Sequence, residues 1–257
     1  METSLPLTVL SVDWDYFINA TQHERYNLFP EGGNEDLPAG VNDLIWVNRY
    51  ARSSELGQIE ADYEALDKLT QVLQDWIAPG QTKVMVADSH KHIFEAIKEL
   101  YKESKPISVI NIDYHHDCYD YTETLNCGNW VNQLFNPETG LDINPLLYRY
   151  LWVKRPDSDE IPFEPVWMSS ILIKDFLSCC WAKGVPQNPV KLLFICRSGV
   201  WSPPHLDKEF IKFSKFCISK ADNPVIVEKG ILKSRYSRRF QKQIQELKKT
   251  YQDIINK

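Results

Sequence analysis

Residues Val109–Val131 read VINIDYHHDCYDYTETLNCGNWV. Beginning slightly upstream, the apolar run Ile107–Ile112 has the length and composition of a buried strand. It breaks into Asp113-Tyr114-His115-His116-Asp117. In an extended chain alternate side chains point the same way, so Asp113, His115 and Asp117 are expected on one face while the chain stays extended. Two carboxylates and an imidazole at a strand end form an oxygen-and-nitrogen donor set suited to a metal ion. The competing reading is a polar strand end whose acids and histidines hydrogen-bond one another.

Two other segments repeat the pattern. Leu7–Val12 reads as a strand and runs into Asp13-Trp14-Asp15, whose acids at i and i+2 share a face between apolar flanks. Such close carboxylates repel unless a cation or proton lies between them. The plain alternative there is an acidic surface turn. Lys83–Ala87 is a short strand leading into Asp88-Ser89-His90-Lys91-His92 and a helix over Ile93–Tyr101. His90 is a candidate ligand at that junction, although Asp88 and Ser89 would also serve as a helix cap.

The rest of the chain supplies the frame. A long amphipathic helix is expected from Ser53 or Ser54 to Pro79-Gly80, with Ile59, Tyr63, Leu66, Leu69, Leu73 and Trp76 on its apolar face. Residues 19–52 show no clean period and read as a long loop, a lid or binding segment, whose Glu31, Glu35, Asp36 and Asp43 could face a cationic substrate. Asn126-Cys127-Gly128-Asn129 looks like a tight turn into a helix. Residues 137–168 read as irregular, with a strand at Leu147–Val153, and a helix is expected over Ser169–Ala182. Val190–Cys196 is a further buried strand, followed by a polar loop expected to line the same cleft. His205 reads as an ordinary surface or capping residue. Ser234–Lys257 reads as a closing helix with a solvated basic face.

Composition narrows the class. The 257 residues, 43% hydrophobic and 25% charged, suit one large globular domain spanning 1–257. A formal net charge of −6 gives no reason to expect nucleic-acid or membrane binding. No apolar run approaches a membrane span, and the N-terminal stretch lacks the basic region of a signal peptide. Six cysteines without C-x-x-C pairs read as reduced thiols, so a cytoplasmic location is expected.

Three strands that end in acids or histidines, separated by helices, predict an α/β fold: three αβα layers around a mainly parallel sheet. The ligand crevice of such sheets lies beyond the carboxyl ends of the strands. Asp13, Asp15, His90, Asp113, His115 and Asp117 would meet there. Four carboxylates and two imidazoles exceed the needs of one ion and suit two, with manganese favoured by the oxygen-rich donor set.

These motifs resemble the arginase, agmatinase and deacetylase superfamily. Asp113-x-His115-x-Asp117 is similar to its D-A-H-x-D motif, Ser11-Val12-Asp13-Trp14-Asp15 to S-x-D-x-D, and Cys127-Gly128-Asn129 to S-G-N. Asp88-Ser89-His90 more loosely resembles G-G-D-H. The combination looks most like the divergent arginase-like family that includes peptide arginases, which convert arginine side chains to ornithine in ribosomally made peptides. The resemblance covers residues 7–17 and 83–135. It departs from the family in order, because S-x-D-x-D comes first here, which implies a rearranged strand order. The histidine that follows S-G-N in arginases has no counterpart at Val131 or Asn132, and the guanidinium-binding glutamate has no match.

Carried over, the resemblance implies one Mn²⁺ held by His90, Asp13, Asp113 and Asp117. Another would be held by His115, Asp13, Asp15 and Asp113, with Asp13 and Asp113 bridging. It further implies a water activated between the ions and Asp117 as the catalytic proton acceptor. His116 or His92 would substitute as the proton shuttle, or there would be none, and the substrate would be an arginine-containing peptide yielding ornithine and urea. The alternatives are a single-metal deacetylase-like amidohydrolase, a phosphatase of the haloacid dehalogenase type built on Asp13-x-Asp15, and a non-catalytic metal-stabilised binding protein.

Overall fold

The computed structural model describes residues 6–29, 37–102, 105–119, 124–136, 148–158, 166–183 and 190–256. In chain order the strands are β1 (Leu7–Asp13), β2 (Ile18–Asn19), β3 (Glu60–Ala61), β4 (Lys83–Ala87), β5 (Ile107–Ile112), β6 (Tyr148–Lys154), β7 (Met168–Leu172), β8 (Val190–Cys196) and β9 (Val225–Ile226). The helices are α1 (Gln22–Leu28), α2 (Ala39–Arg52), α3 (Tyr63–Trp76), α4 (His92–Tyr101), α5 (Trp130–Gln133), α6 (Ile173–Lys183), α7 (Asp207–Ile218) and α8 (Arg238–Ile255). Seven strands form one parallel sheet in the order β7-β6-β5-β1-β8-β4-β9, while β2 and β3 pair antiparallel outside it. No helix among the described residues is long and apolar enough to cross a membrane.

The αβα layering follows from side-chain alternation. Every residue of β1 is buried, as befits a central strand covered on both faces. Leu10 and Val12, with Leu193 and Ile195 of β8 and Val84 and Val86 of β4, pack against α3, α6, α7 and α8. Val9, Val109, Phe194 and Cys196 point the other way, against α4 and α5. A parallel sheet flanked by helices on each face is the predicted fold class.

Register then sets the site. Val12 lies beside Ile112, and Asp13 beside Cys196, which in turn lies beside Ala87. The carboxyl ends of β1, β5, β8 and β4 therefore stop at one level, and the residues that follow each strand meet. Ser11 and Asp13 share the face of Val9, and Asn111 and Asp113 share that of Val109, by the period of two. The polar ends consequently gather on the α4 and α5 side.

Several sequence expectations need correction. Residues 19–52 are not one long loop. Thr21 and Glu24 form a reciprocal capping box that starts α1, and α2 follows Pro38. The helix expected from Ser53 begins only at Tyr63, capped by Asp62, after a single 3₁₀ turn at Glu55–Gln58. The segment expected as one helix from Ser169 opens as β7, which pairs with β6, and turns helical at Ile173. Glu31, Glu35 and Asp36 fall outside the described residues, as does much of 137–168.

Candidate metal centre

The six predicted ligands are brought together. His90 Nδ1 lies 3.2 Å from Asp13 Oδ2, 3.2 Å from Asp113 Oδ2 and 3.0 Å from Asp117 Oδ2. A ring nitrogen carries one proton at most, so three carboxylate oxygens around it outnumber what it can donate. His115 Nδ1 lies 3.0 Å from Asp15 Oδ2 and 3.9 Å from Asp113 Oδ1. Asp113 thus turns one oxygen to each histidine. His90, Asp113 and Asp117 form one potential ligand group and Asp15, Asp113 and His115 another, with donor atoms within 4.8 Å of each other in each. Asp13 groups with His90 and Cys196. Its Oδ1 instead accepts the Asp15 backbone N–H at 3.1 Å, so Asp113 is the carboxylate that spans both groups.

Four of the six ligands are held by a neighbour outside the set. Ser11 Oγ sits 2.6 Å from His90 Nε2, and the His90 ring is stacked on Phe194 at 5.5 Å. With its Nε2 side engaged by Ser11, the ring turns Nδ1 to the carboxylates, the way a metal-ligating imidazole is oriented through its far nitrogen. Asn111 donates to Asp113 Oδ2 at 3.0 Å, and Trp130 Nε1 donates to Asp117 Oδ2 at 2.6 Å. Ser198 donates to Asp13 Oδ2 at 2.5 Å. Asp117 and Ser198 are the two non-glycine residues with left-handed backbone among those described, at φ 55° and 48°. Both touch the cluster, where backbone strain is most often retained. Asp117 therefore reaches the site through this left-handed turn and not by strand alternation.

Electrostatically the cluster is short of positive charge. Asp13, Asp15, Asp113 and Asp117 are all no more than 3% exposed, against two imidazoles. Burial, with the charges of Asp15 and Asp113, pushes Asp13 up to about 7. Burial and Asp117 push Asp113 up to about 7 as well. Burial would raise Asp15 too, but His115 outweighs it and holds this carboxyl low. Burial alone would lower His115, yet Asp15 and its fellow acids lift it to about 10. His90 is likewise raised, its burial overcome by Asp117 and the other carboxylates. Protons and divalent cations answer the same deficit, and the oxygen-rich donor set fits a divalent cation.

The cluster opens into a cavity of about 330 Å³, walled on its outer side by Tyr119, Cys127, Gly128, Ser198 and Trp201. The loop carrying Ser198 and Trp201 is tied down on three sides. Arg197 makes a two-pronged pair with Asp88, at 2.7 and 2.9 Å. Trp46 Nε1 donates to Gly199 O at 2.8 Å. Arg235 clasps Asp207 and donates to Ser202 O. A Cβ at Gly199 would lie 2.6 Å from Asp88 Oδ1, so this position needs glycine for close approach.

Other histidines lie elsewhere. His116 does not line the cavity. Its Nδ1 accepts the Cys118 backbone N–H at 2.9 Å and its ring lies against Tyr119 at 4.3 Å between centroids. His92 pairs with Glu228 at 3.2 Å. His205, read as a surface residue, bridges Tyr50 OH and Ile59 O at 2.5 and 2.7 Å and fastens the α2 segment to the start of α7. Cys118, Cys127, Cys179, Cys196 and Cys217 are free thiols.

Sequence reasoning missed the supporting residues Ser11, Asn111 and Trp130, whereas the loop that carries Ser198 and Trp201 lines the cleft as expected. Ser11 and Asn111 carried a readable signal, being polar residues two positions before the ligand acids inside apolar strands. Comparison with known proteins returned no match among family profiles, curated proteins or solved structures.

Proposed function

We propose that the chain is a dinuclear metal hydrolase that cleaves the guanidinium of arginine side chains in a peptide, giving ornithine and urea in the cytoplasm. The observation that carries this reading is the convergence of six ligand residues, five of them buried, from three strand ends beside one cavity, with Asp113 facing both histidines. The resemblance of the Asp13-x-Asp15 and Asp113-x-His115-x-Asp117 motifs to arginases supplies the substrate.

His90, Asp13, Asp113 and Asp117 would hold one ion and His115, Asp15 and Asp113 the other, with manganese favoured by the donors. Such a pair, when bound, supplies Lewis acidity and lowers the pKa of a shared water towards neutrality. The chain's own groups do the remainder. Tyr119 and Trp201 offer aromatic walls on which a guanidinium can stack while its carbon faces the cluster. Asp117, on the cavity wall, accepts the proton of the attacking water and passes it to the departing nitrogen. Ser11 and Trp130 keep His90 and Asp117 aimed. We give His116 no part in this proton path, because it is not among the cavity-lining residues and its Nδ1 accepts the Cys118 N–H.

The test is mass spectrometry of an arginine-containing peptide incubated with protein and Mn²⁺, beside free arginine. The reading expects a loss of about 42 Da per arginine, the CN₂H₂ removed as urea by metal-assisted hydrolysis. Urea from free arginine alone would remove the peptide preference. No change in either substrate with metal bound would overturn the ureohydrolase reading.

A further inference from the structure

Two cavities adjoin on the side of α2 away from the Ser198–Trp201 loop. One, of about 620 Å³, lies between the end of α1 and α2, with Tyr26, Arg49 and Arg52 in its wall. The other, of about 750 Å³, lies between α2 and the end of α8, with Arg52, Lys248 and Ile255 in its wall. Asn48 and Arg52 belong to both, so together they make one groove. It shares no lining residue with the cavity at the Asp/His cluster.

The charge of the groove is one-sided. Arg49, Arg52 and Lys248 line it, and among the described residues no aspartate or glutamate does. That is a local reversal in a chain of formal net charge −6. Arg49 is the telling residue. Its buried Nη1 has no hydrogen-bond partner, and the guanidinium lies 5.1 Å from the Trp46 ring with no carboxylate in ion-pair reach among the described residues. Burial pulls its pKa down to about 9. A half-buried cation left without a counter-charge is costly, and a fold keeps one most readily where the counter-charge arrives from outside. Cavities of about 620 and 750 Å³ are far larger than a single inorganic anion. Beside these cations the groove presents apolar side chains, Tyr26 at 75% and Ile255 at 81% exposure, which suits a chain of mixed acidic and apolar residues.

We propose that this groove binds an acidic segment of a polypeptide, its carboxylates on Arg49, Arg52 and Lys248 and its apolar side chains on Tyr26 and Ile255. The proposal deepens the peptide reading above and rests on it only for the idea that the bound polypeptide is the substrate, held at a point remote from the reacting arginine. The link between the two sites is α2 itself, whose Trp46 anchors Gly199 beside the cluster cavity.

The test is fluorescence anisotropy with metal-stripped full-length protein and a labelled peptide of alternating glutamate and leucine, beside its glutamine counterpart. Omitting metal separates this result from any failure of the hydrolase reading. The acidic peptide binds and the glutamine peptide binds at least about tenfold more weakly. Arg49→Gln weakens the acidic peptide about tenfold, the loss of one charge-assisted hydrogen bond. Lys248→Gln on the opposite wall weakens it too, and carries the test if Arg49→Gln fails to fold. Equal affinity for the two peptides, or wild-type affinity in the folded variants, overturns the proposal. Inorganic phosphate binding in the groove without any preference for the acidic peptide overturns it in favour of a small-anion site.

Discussion

Replacing Ser11 by alanine removes one oxygen atom from beneath the proposed metal centre. In the structure that oxygen lies 2.6 Å from His90 Nε2, in a site from which water is excluded, since Ser11 is fully buried. An unsatisfied buried imidazole N–H costs about 1–3 kcal/mol. Much of that cost falls equally on metal-free and metal-bound protein and so cancels in the binding constant. The remainder is the part of the hydrogen bond that strengthens when Nδ1 takes a cation and the Nε2 proton becomes more acidic. Loss of a partner that orients a ligand in this way lowers metal affinity about 10–100-fold. Here the ring stays stacked on Phe194 and packed against Trp130 at 5.3 Å, so its orientation survives in part. The lower end applies, about tenfold, or about 1.4 kcal/mol. Isothermal titration of chelator-treated protein with Mn²⁺ measures it directly. A Ser11→Ala protein that folds and binds Mn²⁺ as tightly as wild type would refute the argument that His90 is a ligand through Nδ1.

Other expectations follow from the same geometry. Trp130→Phe keeps the buried ring but deletes the 2.6 Å bond to Asp117 Oδ2. Turnover should fall by about tenfold or more, with a stability loss of about 1–3 kcal/mol from the unpaired carboxylate, as steady-state assays and denaturant titration would show. Gly199→Ala forces a Cβ to within 2.6 Å of Asp88 Oδ1 and should destabilise the fold by about 1–3 kcal/mol, read by denaturant titration. The pH dependence has a definite sign. Asp13 and Asp113 are raised to about 7 and His115 to about 10, so the folded metal-free state binds more protons than the unfolded chain. That stability is present at low pH and is lost as pH rises through the folded values. A cation replaces those protons, so the rise in Tm on adding Mn²⁺ should be larger at about pH 8 than at about pH 6. An equal rise at both would contradict the electrostatic account.

The sheet was legible because its central strands are short apolar runs that end abruptly in charge. Leu7–Asp13, Lys83–Ala87, Ile107–Ile112 and Val190–Cys196 could be read directly, and the acids beyond three of them pointed to one crevice. What the sequence hid was tertiary. The Met168–Leu172 strand has no alternation of its own, and its extended form comes from pairing with Tyr150–Lys154. Helix Ala39–Arg52 follows a stretch rich in glycine and proline, whose turn signals masked the period of Trp46, Val47 and Tyr50. Helix Asp207–Ile218 lay unread between the polar loop and the closing helix, although Phe210, Phe213 and Cys217 mark its buried face. His116 and His205 show the limit of reading histidines by position. His116 sits inside the central motif yet is not among the residues lining the cavity, whereas His205, incidental by its sequence neighbours, bridges two elements. Tertiary contacts, and not sequence position, tell such cases apart.

The measurement closest to the central claim is native mass spectrometry of the protein equilibrated with Mn²⁺, wild type beside Asp113→Ala and Asp15→Asn. The account predicts two ions per chain in the wild type. It predicts none in Asp113→Ala, whose carboxylate faces both histidines, and one in Asp15→Asn, which touches only the His115 group. A wild type that binds no ion, or an Asp113→Ala variant that keeps two, would contradict it.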